Sequence, residues 1–356
     1  MFKIIEGDFK NNIYGNEEYL DNWPMLYLLE NGKQIYIGES NHVKTRMTQH
    51  SSNVEKKIFD KVHFIYSKIF NQSVTFDYES KLIQYIVADE LFQVTNKNSG
   101  IADKQYYKKQ EYDKKFELLW RKLQREKLVK HSLEEIENSD LFKYSPYKSL
   151  TEDQYKTAES LFDSLLQHLQ RNEETAFLVH GGAGTGKTVL AVYLMKLITD
   201  VMTSQPEAAD EFTADEDEFS FQSLYYLKNI KSLKIGLVVP MTSLRKTLKK
   251  VFKQVQGLRS SMVIGPSDVI KEHYDVLIVD EAHRLRQKKN LMPGHHKVFE
   301  RINAQLGLKD GNEWDWIRCC SDYQILFYDD TQTVKPTDID NGVFQRLVQK
   351  ENTEEY

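Results

Sequence analysis

The sequence has 356 residues, of which 40% are hydrophobic and 12% aromatic, enough for folded cores in two or three domains and too many for a chain disordered throughout. The formal net charge of −5 excludes a uniformly basic nucleic-acid coat, so contact with DNA or RNA must come from local patches. The two cysteines, Cys319 and Cys320, are adjacent, which excludes a disulfide framework or a cysteine zinc site. They favour a reducing cytoplasm. The sequence has no run of about 18 apolar residues, so no membrane-spanning helix is predicted.

Residues 1–100 are predicted to form a small α+β domain. In YLLENGKQIYIGES (27–40), apolar residues flank Asn31-Gly32, a dipeptide that favours the two-residue turn of a β-hairpin. A helical pattern follows over residues 40–53, and VHFIYSKIF (62–70) is typical of a strand. The segment 73–92 has apolar residues at helical spacing, with Ser73 as its candidate N-cap.

Residues 101–147 are predicted to form a charged helical connector. The lysine-rich segment KQYYKKQEYDKKFELLWRKLQREKLVK (104–130) is typical of a long, solvated helix. The alternative is a basic, aromatic-containing ridge that contacts a nucleic-acid backbone.

Residues 148–356 are predicted to form a parallel sheet with helices on both faces, a RecA-like architecture. The apolar segments AFLVH, KIGLVV, DVLIVD and QILFYD alternate with helical ones, which is the pattern of such a sheet. The acidic stretch 204–220 interrupts this alternation and is predicted to be a mobile inserted loop.

A phosphate-binding loop follows the first of these strands. The segment GGAGTGKT (181–188) fits the pattern G-x-x-x-x-G-K-[ST] and lies between an apolar strand and an apolar helix. Its glycines let backbone N–H groups surround a phosphate at the positive end of the helix. We therefore expect Lys187 to contact the β- and γ-phosphates of ATP and Thr188 to bind the Mg²⁺ of ATP. The predicted nucleotide-binding residues of the loop are Gly181, Gly182, Ala183, Gly184, Thr185, Gly186, Lys187 and Thr188.

Further polar residues are predicted to meet this loop. Asp280 and Glu281 follow the strand DVLIVD, and ligands of an open α/β sheet bind at the carboxyl ends of its strands. Asp280 is expected to hold Mg²⁺, and Glu281 to orient or deprotonate the attacking water. Gln154 is a candidate for recognising adenine and Gln332 for sensing the γ-phosphate, although both could have ordinary structural roles.

The motifs of this predicted domain resemble those of a known protein family. Gln154, GGAGTGKT, VVPMTSLR, DEAH and DDTQ, in this order, resemble the first motor domain of superfamily 1 helicases. They are more closely similar to a bacterial helicase-like P-loop family related to the Schlafen helicase-like domain, over about residues 147–340. The resemblance implies that His283 couples nucleotide state to motion. It also implies a nucleic-acid contact by Pro240, Thr242 and Arg245.

Superfamily 1 motors also need a second RecA-like domain, which supplies arginines to the γ-phosphate. Only 24 residues, 333–356, follow the last motif, too few for such a domain. We expect a longer chain, a partner protein or another copy to provide that half. This chain should then bind ATP better than it hydrolyses it.

The first hundred residues resemble the GIY-YIG nucleases over about residues 23–100. Tyr36-Ile37-Gly38 matches the second motif, and Leu26-Tyr27 corresponds to the end of the first. The other matching positions are Arg46 and His50 on the following helix, Glu79 on a later helix, and Asn96, with Asn98 as its substitute. The catalytic residues that the resemblance implies are Tyr27, Tyr36, Arg46, His50, Glu79 and Asn96.

The resemblance gives these residue types a chemistry. A tyrosine serves as base or water orienter, Arg46 grips the phosphate, and Glu79 holds a divalent metal, Mg²⁺ or Mn²⁺. Two positions depart from the family pattern: Met25 replaces the glycine of the first motif, and Glu39 stands where some members have a lysine. For His50 the alternative is a capping or packing role.

The combination predicts a metal-dependent endonuclease that cuts DNA under the control of an ATP-binding domain, with RNA as the alternative target. Defence against phage or plasmid DNA is the expected role. The alternative is a nucleic-acid-binding ATPase subunit that grips strands without cutting and needs a partner. A small-molecule kinase fits the phosphate loop alone and leaves DEAH and DDTQ unexplained. A homo-oligomer is a candidate state, because an enzyme that nicks one strand per site needs two copies to break both.

Overall fold

The computed structural model describes residues 2–12, 14, 22–96, 106–148, 150–203, 233–291, 293–332, 335–349 and 353–356. The acidic segment 204–220 and Asn98 lie outside these residues. Among the described helices, none combines the length and the apolarity that crossing a membrane requires. The chain divides into two compact units, Met1–Ser149 with Val251–Gln256, and Leu150–Lys250 with Gly257–Tyr356.

The first unit is built around a five-stranded sheet with strand order β1-β4-β2-β3-β5. All neighbouring strands pair antiparallel except β3 and β5, which are parallel. The mixed α+β fold predicted for this part of the chain is confirmed. The strands are β1 (Lys3–Asp8), β2 (Met25–Glu30), β3 (Gln34–Ser40), β4 (Lys61–Tyr66) and β5 (Gln93–Val94).

The β2–β3 hairpin turns one residue later than the sequence predicts. The backbone N–H of Asn31 donates to the carbonyl of Gln34 over 3.2 Å, which places Gly32 and Lys33 at the centre of the turn. Gly32 takes the left-handed conformation, with φ of 78°. Asn31 instead accepts hydrogen bonds from the N–H groups of Lys33 and Gln34 through its side chain, at 3.1 and 2.8 Å. Asparagine competes for local backbone donors in this way, so it flanks the turn.

Helices α1 (Val43–Ser52) and α2 (Gln72–Asp89) follow β3 and β4. The predicted N-cap of α2, Ser73, is wrong by two residues. Asn71 has extended backbone angles and accepts the N–H of Val74 over 3.1 Å, so it caps the helix instead. The core beside the hairpin contains Phe9, Met25, Tyr27, Leu29, Val43, Met47, Phe59, Val62 and Phe64.

Residues 106–147, the described part of the segment predicted as a helical connector, form three helices within the first unit, and the first of them lies in the stretch where a long helix was predicted. One face of the first of them is buried, and Trp120 donates through its indole N–H to the carbonyl of His131 over 3.0 Å. The buried residues of that face are Phe116, Leu119, Trp120 and Leu123. The helices are α3 (Lys109–Arg125), α4 (Leu133–Glu137) and α5 (Asp140–Lys143).

The second unit contains a six-stranded parallel sheet with strand order β11-β6-β10-β9-β7-β8, which confirms the predicted RecA-like class. Strands β8 and β11 have two and three residues, too short for a sequence pattern to reveal. The strands are β6 (Thr175–His180), β7 (Ile235–Val238), β8 (Val263–Ile264), β9 (Tyr274–Val279), β10 (Ser321–Tyr328) and β11 (Thr353–Glu355). The helices are α6 (Glu152–Arg171), α7 (Lys187–Thr203), α8 (Thr242–Gln254), α9 (Pro293–Leu306), α10 (Glu313–Cys319) and α11 (Asn341–Val348).

The topology brings three polar segments to one edge of this sheet. Strand β10 lies between β6 and β9, and all three run parallel. Their carboxyl ends lead into the phosphate loop, into Asp280 and into Asp329. Ligands of open α/β sheets bind at this edge.

Candidate nuclease and nucleotide sites

Tyr27 and His50 form a buried hydrogen-bonded pair in the first unit. The Tyr27 hydroxyl lies 2.8 Å from Nε2 of His50, and both side chains are almost completely removed from solvent. Tyr27 comes from β2 and His50 from the last turn of α1, so the hairpin and the following helix place the pair.

Gly38 makes room for this pair. Tyr27 sits opposite Gly38 in the β2–β3 ladder, and the tyrosine ring lies across the glycine. A Cβ atom at position 38 would lie 2.3 Å from both Cζ and the hydroxyl oxygen of Tyr27. The glycine of the Tyr36-Ile37-Gly38 motif is therefore required by the position of the Tyr27 ring.

We expect Gly38→Ala to destabilise the hairpin by at least ~2 kcal/mol, because overpacking a buried site forces side chain and backbone apart. Gly294→Ala is the matched control, since a Cβ at Gly294 meets no heavy atom within 4 Å. That change should stay within about 0.5 kcal/mol. The protection of residues 25–40 from hydrogen–deuterium exchange, measured at increasing urea concentrations, reports the stability of the hairpin directly. Equal protection in wild type and Gly38→Ala would contradict the proposed steric role.

Tyr36 lies on the same face of β3 as Gly38, since side chains alternate along a strand. Its ring centroid is 6.3 Å from that of Tyr27 and 5.4 Å from that of His50. The buried ammonium of Lys56 lies 3.1 Å from the centroid of the Tyr36 ring. Lys56 belongs to no motif, so the sequence gives no sign that a cation sits here.

Arg46 and Glu79 act on the same tyrosine. Arg46 lies one turn before His50 on α1 and hydrogen-bonds Tyr27, while the carboxylates of Glu79 and Glu39 exert an opposing charge on the phenol. Thr75, one turn before Glu79 on α2, donates to Oε2 of Glu39 over 3.1 Å. Glu39, which stands where some members of the family have a lysine, therefore places a second carboxylate toward α2.

Burial keeps the Tyr27–His50 pair uncharged. It raises the pKa of the Tyr27 phenol well above its usual range, although Arg46 acts in the opposite direction. It also lowers the pKa of His50 to about 2, with the charges of Lys56 and Arg46 adding to the effect. At neutral pH Tyr27 is therefore a phenol that can donate a hydrogen bond to Nε2 of the uncharged His50.

Asn96 occupies a different place from the other predicted nuclease residues. Its Oδ1 accepts the backbone N–H of Ile37 over 3.0 Å, and its Nδ2 donates to the carbonyl of Ile37 over 2.7 Å. The side chain is buried, and the backbone carbonyl of Asn96 accepts a hydrogen bond from the hydroxyl of Tyr147. The amide thus holds the edge of β3 in the middle of the Tyr36-Ile37-Gly38 motif.

We expect Asn96→Ala to lower the free energy of unfolding by about 2 kcal/mol, because two buried backbone groups lose their partner. Gln93→Ala nearby removes only a 3.3 Å side-chain contact with Gln34 and should cost about 0.5 kcal/mol or less. Urea denaturation compares the two variants. Full stability with lost cleavage in Asn96→Ala would instead assign the amide to the chemistry.

The nuclease cluster offers two carboxylates, those of Glu39 and Glu79, as candidate donors for a metal ion. In the described part of the chain, no group of three or more His, Cys, Asp or Glu side chains is arranged to hold a metal. Mg²⁺ usually keeps several waters and takes one or two carboxylates together with substrate phosphate oxygens. Glu79, with Glu39 as a neighbour, fits that smaller donor set.

The phosphate loop of the second unit is preformed around Lys187. Its Nζ donates to the carbonyls of Gly181 and Gly182, at 2.6 and 2.8 Å, and lies 3.5 Å from Oδ2 of Asp329. Gly184 and Gly186 have φ of 78° and 84°, angles that side chains strongly disfavour. The loop thus holds a buried ammonium where a phosphate would bind. Ala183 and Thr185 lie exposed on it.

Asp280 and Thr188 fit the magnesium of a bound nucleotide. The Thr188 hydroxyl donates to Oδ2 of Asp280 over 2.8 Å. Oδ1 of Asp280 is buried and has no hydrogen-bond partner among the described residues. Burial raises the pKa of this carboxyl to about 7. An orphaned oxygen of this kind is well suited to a cation.

Glu281 and Gln332 belong to a network at the same sheet edge. Gln332 Nε2 donates to Asp329 over 2.9 Å, and its Oε1 lies 3.2 Å from Nε2 of His283. Nε2 of His283 is also 3.0 Å from Oε2 of Glu281. The structure therefore brings Glu281, His283 and Gln332 together, as the sequence predicts. It adds Asp329, whose position after an apolar strand is the signal that could have identified it.

Gln154 is held by the protein itself. Its Oε1 accepts the backbone N–H of Thr151 in a capping box, and its Nε2 donates to the carbonyl of Thr185 over 2.6 Å. The amide thus contacts the phosphate loop from the start of α6. Reading adenine would require it to exchange one of these partners.

A basic cleft of about 510 Å³ adjoins this network. Its lining includes Pro240, Thr242 and Arg245, the residues for which the resemblance implies a nucleic-acid contact. Arg245 is fixed by a 2.7 Å hydrogen bond to the carbonyl of Val239. The charged residues of the lining are Arg245, Arg284, Arg286, Lys335 and Asp338. The cations of the lining outnumber its carboxylate four to one, and although Arg284 and Arg286 are also paired with Glu281 and Glu313, this excess favours phosphate.

Two family models match the chain. The model described as Schlafen group 3, DNA/RNA helicase domain matches residues 174–355, and the GIY-YIG catalytic domain model matches residues 24–86. No curated protein and no solved structure matches the chain significantly. The matches cover the sheet with the phosphate loop and the hairpin with the Tyr27–His50 pair, and they support a nuclease with a helicase-like domain. The chain therefore belongs to the Schlafen group 3 DNA/RNA helicase domain family and carries a GIY-YIG catalytic domain ahead of it.

Proposed function

We propose that this chain is a metal-dependent endonuclease that cuts DNA under the control of an ATP-binding, helicase-like domain. The observation that carries the proposal is the buried Tyr27–His50 hydrogen bond, with Arg46 and Glu79 acting electrostatically on the same phenol. A cation, a carboxylate and a proton acceptor around one hydroxyl are the groups that hydrolysis of a phosphodiester requires.

Each residue has a role in the proposed reaction. Arg46 binds a non-bridging oxygen of the scissile phosphate. Tyr27 donates its hydroxyl hydrogen to Nε2 of His50, so its oxygen can accept a hydrogen bond from the attacking water and orient it, while the proton of that water passes to bulk solvent. The water oxygen bonds to phosphorus, and the leaving oxygen departs with the electron pair of the broken bond. Glu79 would hold Mg²⁺ or Mn²⁺, and the ion would supply positive charge to stabilise the negative charge that develops on the phosphate.

The second unit binds Mg²⁺-ATP in this proposal. Lys187 would contact the β- and γ-phosphates, and Thr188 and Asp280 would hold the metal. Glu281 would receive the proton of the attacking water as the bond between the γ-phosphorus and the bridging oxygen breaks and ADP leaves with that electron pair. The orphaned Oδ1 of Asp280 and the preformed loop support these roles. A second RecA-like half, from a partner, a longer chain or another copy, completes hydrolysis.

The nucleic-acid strand occupies the basic cleft, and DNA is the proposed target. The cleft's excess of cations supports binding of a phosphate backbone. Pairing a nuclease with a nucleotide-controlled domain suits the destruction of phage or plasmid DNA in the cytoplasm, and we propose defence as the biological role.

Cleavage of end-labelled duplex DNA, single-stranded DNA and RNA tests the proposal, in Mg²⁺, Mn²⁺ or EDTA and with or without ATP. We expect cutting of DNA that needs the metal and responds to ATP. Cutting that persists in EDTA would contradict metal dependence. Cutting of RNA in preference to DNA would overturn the assigned target.

The basic cleft also supports a second candidate function, a strand-binding ATPase subunit that does not cut. Its strand and nucleotide sites lie in the second unit and do not depend on Tyr27. Tight strand binding with no cleavage under any metal would favour this candidate over the nuclease.

A further inference from the structure

Arg284 contacts residues of the nucleotide site and also lines the basic cleft. Its Nη2 donates to Oε1 of Gln332 over 3.1 Å, and its Nε donates to Oε2 of Glu281 over 3.4 Å. The same side chain forms part of the cleft wall and is about one third exposed. One guanidinium therefore faces both the proposed general base and the proposed strand.

Glu281 is restrained in this arrangement. The backbone N–H of Asp329 donates to Nδ1 of His283 over 3.2 Å, so the other ring nitrogen, Nε2, carries the proton. Nε2 of His283 and Nε of Arg284 both approach Oε2 of Glu281. Glu281 also has a left-handed backbone with φ of 52°, an uncommon angle for a residue with a side chain. Because Oε2 of Glu281 already has two donors, that oxygen can orient and deprotonate a water molecule only after one of them leaves.

We propose that Arg284 is a gate: a strand phosphate in the basic cleft draws its guanidinium away from Glu281 and so frees Glu281 for the attacking water. The inference rests on the proposed nucleotide-binding and strand-binding functions. A phosphate offers the guanidinium a bidentate partner, whereas Glu281 receives only one of its N–H groups at 3.4 Å. The exchange therefore favours the strand, and nucleotide hydrolysis becomes dependent on it.

The gate has a reciprocal consequence that can be measured without hydrolysis. If strand binding weakens the Glu281–Arg284 contact, that contact must equally weaken strand binding, because coupling between two events is mutual. Removing the charge of Glu281 should thus release Arg284 to the strand. The effect must depend on Arg284, which separates it from a general change in the field of the cleft.

The test is a double-mutant cycle on the affinity for a fluorescein-labelled oligothymidylate, measured by fluorescence anisotropy on the full chain without nucleotide. We expect Glu281→Gln to tighten binding about threefold or more when Arg284 is present, a coupling typical of residues in contact. In the Arg284→Ala background the same change should alter affinity by less than about 1.5-fold. Arg284→Ala alone should weaken binding, because it removes one phosphate contact.

Lys335→Ala is the matched control, since Lys335 is a cation of the same cleft wall on a different segment. Glu281→Gln should still tighten binding about threefold in that background. Equal tightening with and without Arg284, or no tightening in either, overturns the gate while leaving strand binding intact. A wild-type chain that does not bind the oligonucleotide overturns the proposed strand-binding function itself, and the gate with it.

Discussion

Tyr27→Phe is expected to reduce cleavage of DNA about a hundredfold, because the hydroxyl that orients the attacking water is lost. The substitution removes the hydroxyl that lies 2.8 Å from Nε2 of His50 and that Arg46 also contacts. The ring remains, so the packing over Gly38 is preserved. The free energy of unfolding should fall by about 2 kcal/mol, because His50 and Arg46 both lose a buried hydrogen-bond partner. Nicking rates and urea denaturation measured on the same preparation separate the two effects.

Tyr85→Phe is the matched control for this loss. Tyr85 lies on α2 of the same unit, is partly buried and donates to Oε1 of Glu137 over 2.6 Å. Its substitution should leave the nicking rate within about twofold, because surface hydrogen bonds away from the cluster contribute little. If Tyr27→Phe cuts as fast as Tyr85→Phe, the proposed role of Tyr27 in orienting the attacking water is wrong.

Lys187→Ala should lower the affinity for Mg²⁺-ATP about a hundredfold, since hydrogen bonds from a charged group contribute about 1.5–3 kcal/mol each. The ammonium is held by the carbonyls of Gly181 and Gly182 before any phosphate binds, so little ordering is needed. Its removal also leaves the buried Asp329 without its cation. Isothermal titration calorimetry with ATP and Mg²⁺ gives the affinity of each variant.

Lys297→Ala provides the comparison, because Lys297 is exposed on α9. The affinity of the Lys297→Ala variant for Mg²⁺-ATP should equal that of the wild type. Binding of ATP by Lys187→Ala within about threefold of the wild type would argue against the phosphate loop as the nucleotide site, given how much such contacts usually contribute.

The sequence anticipates those parts of the fold where local patterns and packing agree. Buried parallel strands appear as apolar runs, so the central strands of the second unit were predictable. The eight-residue phosphate loop was equally clear, because its glycines are required by backbone angles such as φ of 84° at Gly186. The identity of Gly38 could be matched to a motif, but its cause, the ring of Tyr27 lying across it, needed the structure.

Contacts between distant segments account for what the sequence could not provide. Asn96 holds the backbone of Ile37, which is 59 residues away along the chain. Lys56 is buried against Tyr36 although a lysine in a short 3₁₀ turn is ordinarily exposed. Arg284 links Glu281 to the basic cleft only because the turn after β9 directs it there. In each case the partner is set by tertiary packing, which residue spacing does not encode.

The central claim is that the Tyr27–His50 cluster with Glu79 cuts phosphodiesters, and nicking of a supercoiled plasmid tests it most directly. Wild type and Glu79→Ala are compared in Mg²⁺ and in Mn²⁺. We expect the wild type to convert supercoiled plasmid to nicked or linear forms and Glu79→Ala to lose this activity at least about a hundredfold, because the metal's carboxylate is gone. A Glu79→Ala protein that still nicks at the wild-type rate would contradict the account.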